Sequence, residues 1–235
     1  AWTDFNAAIE NIKLTERYNQ TSNFPIFIVV EVNFTQAFKS AVISSDIGIN
    51  LDFDLNVSDK LYESFTGQAT LAICQRLCDE FSLKLKADVL INSKRQHFDI
   101  LFEEAQDFEL ISGVLDLIED YYKAGLTLIL GSSASMQNIN RIFKRFDLDK
   151  YFKTKFSGAD LKASKPHPEI FIKAAAATGY LKENCFVIED STNGILAAKA
   201  AGLFCVGFDS PHSKSQDYSK ADLTITSFKE IHYSK

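Results

Sequence analysis

The chain has 235 residues, of which 46% are hydrophobic and 24% are charged, with a net charge of -6. These fractions are ordinary for a soluble globular protein, and the length predicts one large domain or a core with an insertion. The acidic balance disfavours nucleic-acid binding, and no apolar run approaches the ~20 residues that cross a bilayer.

The start of the chain and its four cysteines predict a cytoplasmic protein. The first residues lack the basic and then apolar pattern of a signal peptide. Cys74 and Cys78 are four residues apart on a predicted helix without companion ligands, and Cys185 and Cys205 lie in apolar runs. This spacing fits neither a disulfide framework nor a zinc site, so reduced and buried thiols are expected.

The first elements are a helix and a strand. Residues 1–23 have apolar residues at helical spacing, which predicts an additional amphipathic helix. Residues 24–33 are rich in β-branched and apolar side chains, as in a central strand of a parallel sheet. Polar residues appear where this strand ends, at Glu31 and Asn33.

Residues 35–107 predict a series of helices, at 35–45, 58–65, 69–81 and 86–104. After them, residues 111–123 predict an amphipathic helix, and residues 126–130 a buried strand. Gly131 and Ser132 follow this strand, and the next helix is expected at 136–146.

The stretch from Leu161 to Gly202 has the densest pattern of polar motifs. Ser164-Lys165-Pro166 precedes a helix that ends at Gly179, and Cys185 to Ile188 predicts a buried strand. Glu189-Asp190-Ser191 comes directly after that strand and before another helix. Two more strands are predicted, at 204–208 and 223–226, before a final helical turn. Ligands of open α/β sheets bind where strands end, so polar chemistry is expected at this edge.

These motifs resemble those of the haloacid dehalogenase (HAD) superfamily of phosphohydrolases and phosphomutases, in its branch similar to β-phosphoglucomutase. Ser164-Lys165-Pro166 resembles motif three, Glu189-Asp190-Ser191 resembles motif four, and Ser132 resembles motif two. The resemblance implies an α/β fold, with a Rossmann-like doubly wound parallel sheet as core and an inserted all-α helical cap. It places the core at 1–34 and 108–235 and the cap at 35–107.

The resemblance also implies roles for these residues. Ser132 would hold a phosphoryl oxygen, although it is also placed to cap the next helix. Lys165 would supply a positive charge between phosphate and nucleophile, and Glu189 and Asp190 are oxygen ligands suited to Mg²⁺.

Substrate contacts are expected from the cap and from residues beside the motifs: Ser133, Ser164, Gly67 and Lys94. Gly67 lies in Thr66-Gly67-Gln68, which separates two predicted helices. Lys94, with Arg95 and His97, is alternatively part of a solvated helix face.

Motif one departs from the family pattern. The resemblance predicts two aspartates one residue apart and then a glycine, where this chain has Glu31, Asn33 and Phe34. The longer Glu31 misplaces the attacking oxygen by about 1 Å, which costs on the order of 10²-fold in rate. Asn33 cannot ionise, so acid–base help worth about 10²–10⁴-fold is lost. The competing position, Asp52-Phe53-Asp54, follows a poor strand and is interpreted as a helix end and loop.

The resemblance implies a hydrolase or phosphotransferase for a small phosphorylated metabolite, a sugar phosphate above all, with Mg²⁺ as cofactor. Because of Glu31 and Asn33, an alternative is a relative that binds phosphate ligand and Mg²⁺ without turnover. A 2-haloacid dehalogenase is disfavoured, since paired acids in motif four favour metal-dependent phosphoryl transfer.

Overall fold

A computed structural model of the chain describes residues 27–31, 50, 52–104, 109–210, 213 and 215–232. The strands are β1 Phe27–Glu31, β2 Thr127–Ser132, β3 Phe152–Ser157, β4 Cys185–Glu189, β5 Phe204–Phe208 and β6 Leu223–Ile225. The α-helices are α1 Asp59–Glu63, α2 Thr70–Glu80, α3 Ala87–Glu104, α4 Val114–Lys123, α5 Met136–Arg145, α6 Glu169–Thr178 and α7 Thr192–Ala200. Short 3-10 turns cover Gly158–Asp160, Lys182–Asn184 and Phe228–Ile231.

The strands form one parallel sheet in the order β3-β2-β1-β4-β5-β6. From β1 the chain builds the sheet outward through β2 and β3, and then returns to the other side of β1 for β4, β5 and β6. The sheet therefore has its topological switch point at β1, and in such sheets ligands bind in the crevice beyond the carboxyl ends of the strands.

Alternate residues of the central strands face opposite layers of helices. On β4, Phe186 and Ile188 pack in one hydrophobic cluster, and Cys185 and Val187 pack in another. Helices α4 and α5 cover the first face, and α6 and α7 cover the second. Burial on both faces explains why these strands are continuous apolar runs, and it confirms the predicted doubly wound α/β core.

Between β1 and β2, the described residues form a helical cap with its own hydrophobic cluster. This cluster contains Leu55, Phe65, Ile73, Cys74, Leu77, Cys78, Ala87, Leu90 and Ile91. The long helix α3 belongs to both parts, because Leu90 packs in the cap cluster whereas Phe98 and Phe102 pack with the sheet. Through this helix the cap and the core share one continuous element.

The predicted helices at 58–65, 69–81, 86–104, 111–123 and 136–146 agree with α1 to α5, except that α4 begins three residues late. The predicted helices at 1–23 and 35–45 lie outside the described residues. So do both expected cap boundaries, after residue 34 and after residue 107, and the domain limits stay predictions.

Strand β3 was not expected from the sequence. Its residues Phe152–Ser157 include Lys153 and Lys155 on either side of Thr154, which dilutes the apolar signal. Among the described strands, β3 lies at the outer edge of the sheet and pairs only with β2. Lysines are common on such edges because they discourage pairing with another chain.

All four cysteines are buried, and none is in a disulfide. Cys185 and Cys205 lie in the sheet, and Cys74 and Cys78 lie in the cap cluster. Their burial agrees with the expectation that they act as small apolar side chains.

The last turn of the described chain is tied to the core by Tyr121. Its buried hydroxyl donates a hydrogen bond of 2.5 Å to the carbonyl oxygen of Ile231, and burial raises the pKa of this phenol.

We expect Tyr121→Phe to lower the free energy of unfolding by about 1–3 kcal/mol, because the carbonyl loses its buried donor. Tyr122→Phe is the matched control, since Tyr122 is 50% exposed. Urea denaturation measures both, and equal effects would contradict a structural role for this bond.

Candidate active site

The carboxyl ends of β2, β1 and β4 lie side by side at one edge of the sheet. Glu31 ends β1 and pairs in register with Glu189, which ends β4. Ser132 ends β2, two residues beyond Leu130, the residue that pairs with Val30. The residues predicted from motifs one, two and four are therefore brought to one edge, whereas Asn33 lies outside the described residues.

Glu189 is the most heavily bonded side chain at this edge. Its Oε1 accepts hydrogen bonds from the backbone N–H of Asp190, from the N–H of Ser191 and from the Ser191 hydroxyl, at 3.1, 3.0 and 2.7 Å. Its Oε2 accepts a bond of 2.8 Å from Nζ of Lys165. The carboxylate thus lies beneath the start of α7, where exposed N–H groups favour negative charge.

Gly194 makes room for this carboxylate. A Cβ at position 194 would lie 1.9 Å from Cδ of Glu189, a distance that no side chain tolerates. The same first turn is capped by Ser191, whose Oγ accepts the N–H of Gly194 at 3.0 Å. Close packing against Glu189 therefore explains why position 194, in the Asn193-Gly194 pair, is a glycine.

Lys165 is buried as deeply as its partner, with side-chain exposures of 1% for both. Its ammonium also lies 4.4 Å from the centre of the Phe171 ring, a favourable cation–π distance. Burial lowers the pKa of Lys165, and the carboxylates of Glu189 and Asp190 oppose that change. Burial raises the pKa of Glu189, against the opposing effect of the lysine.

Glu169 holds the loop that presents Lys165. One of its carboxylate oxygens accepts the backbone N–H groups of Lys162 and Ala163 at 3.2 and 3.3 Å. The other forms an ion pair of 2.9 Å with Lys173, one turn along α6. The hydrogen bond from Lys173 has the largest effect in lowering the pKa of Glu169. The hydrogen bonds from the backbone N–H groups of Ala163 and Lys162 lower it further.

Asp190 is 2% exposed and is bonded differently from its neighbour. Its Oδ2 accepts a hydrogen bond of 2.9 Å from the hydroxyl of Ser213. Its backbone carbonyl accepts a bond of 3.2 Å from the hydroxyl of Tyr218. Asp190 is thus contacted by two residues of the segment that follows β5.

The serines after β2 also differ from one another. Ser132 accepts the N–H of Ala134 at 3.2 Å, an arrangement that leaves its hydroxyl proton to be donated. Ser133 donates to the carbonyl oxygen of Gly67 at 2.6 Å. The cap of helix α5 is Ser135, whose Oγ accepts the N–H of Asn138, so Ser132 is not that cap.

The cap turn at residues 64–69 is fastened to three loops of the core. Ser133 binds Gly67, and the hydroxyl of Ser164 accepts the N–H of Ala69 at 2.7 Å. Asn193 donates to the carbonyl oxygens of Thr66 and Ser64 at 2.7 and 3.2 Å. Three of the expected substrate contacts, Gly67, Ser133 and Ser164, therefore take part in cap–core hydrogen bonds.

The fourth expected contact, Lys94, is 6% exposed and does not belong to a solvated helix face. Its neighbour Arg95 is exposed. His97 lies 2.9 Å from Oδ2 of Asp52, which also accepts the hydroxyl of Ser93 at 2.5 Å. The hydrogen bond from Ser93 lowers the pKa of Asp52 most, and the hydrogen bond from His97 lowers it further.

These contacts place Asp52 in the cap, against helix α3. Residues 52 and 53 are helical, and Asp54 forms a turn. The alternative position for motif one is thus not at the end of a strand.

The residues at this edge fit a magnesium ion in one particular way. Mg²⁺ commonly binds one or two carboxylates and keeps waters and substrate phosphate oxygens as its other ligands. Glu189 accepts protein donors at both oxygens, among them the Lys165 ammonium, and Asp190 is the second carboxylate at this edge that could hold the ion. No group of three or more His, Cys, Asp and Glu side chains suited to a metal occurs among the described residues.

The sequence did not indicate several residues that support the site. Asn193 was noted only as part of a motif, yet it binds the cap turn. Ser213 and Tyr218 contact Asp190 from more than 20 residues away along the chain. Nothing in a single sequence distinguishes such a serine from a loop residue.

The parallel core, the cap inserted after β1 and the lysine–acid pair at the switch point are the features of a capped fold of the HAD type. The chain matches the model of the haloacid dehalogenase-like hydrolase family over residues 39–208. This range is well over half of its length, and the chain belongs to this family. The match begins after β1, so Glu31 and Asn33 lie outside it.

Curated relatives include hexitol phosphatase B of Escherichia coli K12, which is 29% identical over 123 residues, 52% of this chain and 55% of the relative. Phosphoglycolate phosphatase of Salmonella typhimurium LT2 is 28% identical over 151 residues, 63% and 60% of the two chains. The chain thus spans little more than half the length of these relatives.

Among solved structures, β-phosphoglucomutase of Clostridium difficile has a TM-score of 0.76 at 20% identity. The alignment covers 90% of this chain and 94% of that one, which shows a common fold. Among the described residues, no helix combines the length and apolar character that a membrane span requires.

The buried ion pair can be tested through stability. Removing one partner leaves the other charge buried, so Lys165→Met and Glu189→Gln should each lower the free energy of unfolding by about 3–5 kcal/mol. The double variant should lose less than the sum of the two. Lys123→Met is the control, because the Lys123–Glu119 pair is exposed at 72% and 36% and should contribute about 0–1 kcal/mol. A loss at Lys165 no larger than that at Lys123 would refute this account of the pair.

Proposed function

We propose that this protein hydrolyses or transfers the phosphoryl group of a small phosphorylated metabolite, in particular a sugar phosphate, with Mg²⁺ as cofactor. The observation that carries this proposal is the buried Lys165–Glu189 pair at the switch point of the sheet, beside Ser132 and Asp190. A buried ion pair is costly to desolvate, and burial of two charges at a sheet edge is typical of functional sites.

Several residues at this edge of the sheet are suited to bind different parts of a phosphoryl group. Ser132 donates its hydroxyl to one phosphoryl oxygen, and the N–H groups at the start of the following helix are suited to an anion. Lys165 adds a positive charge whose position is set by Glu189 and Phe171. When bound, Mg²⁺ neutralises charge on the phosphoryl oxygens, and Asp190 is proposed as its direct ligand with Glu189 in support.

Gly67, Ser133, Ser164 and Lys94 are proposed to contact the rest of the substrate. The cap turn lies over the same loops that present the phosphate-binding residues, and this supports a small ligand enclosed between cap and core. Two relatives, a hexitol phosphatase and a phosphoglycolate phosphatase, are named for small phosphate esters, which supports this class of substrate. Reduced, buried cysteines support a cytoplasmic location.

The proposal assigns nucleophilic attack to Glu31 and leaves Asn33 where the family has its acid–base aspartate. Turnover should therefore be slow, since both a misplaced nucleophile and a missing proton carrier reduce the rate. Phosphate and Mg²⁺ binding without consumption of any ester would instead support the binding role.

Phosphate release from a panel of sugar phosphates, sugar-alcohol phosphates and phosphoglycolate tests the activity. We expect Ser132→Ala to lower kcat/KM by about 10–100-fold, because a hydrogen bond to a charged oxygen is worth about 1.5–3 kcal/mol. Ser227→Ala is the matched control, since it removes the side-chain cap of the 3-10 turn Phe228–Ile231 but no proposed phosphate contact. Equal turnover in the parent and in Ser132→Ala would exclude this site as the source of the activity.

Repair of motif one is a second test. Glu31→Asp combined with Asn33→Asp should raise phosphatase activity by more than the product of the single changes, because nucleophile and proton carrier act as a unit. Phe34→Gly, added as a third change, gives the backbone freedom that the family has there. Release of phosphate from an aryl phosphate is compared in the parent, both singles, the double and the triple. Background activity in all five, with Mg²⁺ still bound, would show that motif one does not limit this protein.

A further inference from the structure

The segment between β5 and β6 lies against the acid loop, which we define as Asp190 to Thr192. The described residues of this segment that contact the acid loop are Ser213, Gln216, Asp217 and Tyr218. We call these four residues the strap. They are unrelated to any motif of the sequence, and they lie more than 20 residues from the acid loop along the chain.

Ser213 contacts the carboxylate itself. Its hydroxyl donates to Oδ2 of Asp190 at 2.9 Å, and the serine is 5% exposed, so this bond is shielded from water. The backbone N–H of Ser213 donates to the carbonyl oxygen of Ser210 at 2.9 Å, which also restrains this serine. A buried hydroxyl that is bonded to one carboxylate oxygen restricts the rotation of the carboxylate.

The other strap residues hold the backbone of the acid loop. The Tyr218 hydroxyl donates to the carbonyl oxygen of Asp190 at 3.2 Å. The side-chain oxygen of Gln216 accepts the N–H of Thr192 at 2.9 Å, and the N–H of Asp217 donates to the Thr192 hydroxyl at 2.7 Å. Asp190 is therefore restrained from both of its ends, at the carboxylate and at the main chain.

We propose that Ser213 is a positioning residue, which orients the Asp190 carboxylate for a divalent cation and so sets the affinity of the site for Mg²⁺. This inference rests on the proposed function, because it assigns Asp190 the role of metal ligand. Hydrogen-bond partners of metal-binding carboxylates fix their orientation, and their loss commonly weakens metal binding by about 10–100-fold. Glu189 needs no such partner, since its two oxygens are already held by Lys165 and by the start of α7.

The experiment is a calorimetric titration of the full chain with Mg²⁺, for the parent and four variants. Ser213→Ala should weaken Mg²⁺ binding by about 10–100-fold, and Ser213→Thr, which keeps the hydroxyl, should recover most of the affinity. Ser219→Ala is the control, because Ser219 is an exposed serine that bonds the exposed Asp217 rather than the Asp190 carboxylate. Tyr218→Phe is the fourth variant. It removes the hydroxyl that donates to the backbone carbonyl of Asp190 and leaves the Ser213 bond to the carboxylate in place.

Thermal unfolding and phosphate release are measured on the same samples. Three results together support the proposal. Ser213→Ala binds Mg²⁺ more weakly than the parent, it unfolds at the same temperature as the Ser219→Ala control, and Ser213→Thr restores Mg²⁺ binding. Should Ser213→Ala unfold, weaker Mg²⁺ binding by folded Tyr218→Phe supports restraint of Asp190 by the strap, and parental affinity in that variant overturns it.

The two levels of the proposal fail in different ways. Parental Mg²⁺ affinity in a folded Ser213→Ala variant overturns the role of Ser213, whatever the turnover of the parent. Failure of the parent to bind Mg²⁺ overturns it as well. Weaker Mg²⁺ binding in Ser213→Ala without phosphate release by the parent leaves the positioning role standing and removes the proposed catalysis.

Discussion

Lys165 and Glu189 are buried together where β4 meets α7, and most of the candidate site depends on this one ion pair. Neither charge is stable there alone, because each has left water for the interior of the protein. Glu189 is stabilised by Lys165 on one oxygen and by three donors from Asp190 and Ser191 on the other. The pair thereby connects the loop before α6 with the start of α7 and fixes where a lysine charge faces the end of the sheet.

The neighbouring residues follow from the need to accommodate this pair. Gly194 is glycine because any side chain would enter the space of the Glu189 carboxylate. Phe171 lies beneath the lysine, and Glu169 holds the loop on which the lysine is carried. Residues next to the pair, Ser164 and Asn193, extend to the cap turn, so the position of the cap depends on the same loops. Cap placement and site geometry are therefore coupled through short backbone connections.

The end of β1 is the part of the site that differs from the family pattern. The strand occupies the centre of the sheet and brings Glu31 into register with Glu189, as the position of a nucleophile requires. Glu31, where β1 ends, is longer than the family's aspartate, and Asn33, two residues farther along the sequence, cannot ionise. With motifs two to four present in the sequence and motif one changed, the proposed phosphate site is one in which binding and turnover are separable.

The sequence by itself determined the doubly wound core, the helical cap and the family, because buried strands and amphipathic helices have periodic patterns and the motifs have local spacing. Lys165, Glu189 and Asp190 were recognised in this way, and so was Ser132. Only the tertiary structure decided that Glu189 is held by Lys165 and α7 while Asp190 is held by Ser213. It also decided that β3 completes the sheet and that Lys94 is buried, since an edge strand rich in lysine and a buried cation have no periodic signal. Contacts between residues far apart in the chain depend on how strands and helices pack, and no local pattern records that packing.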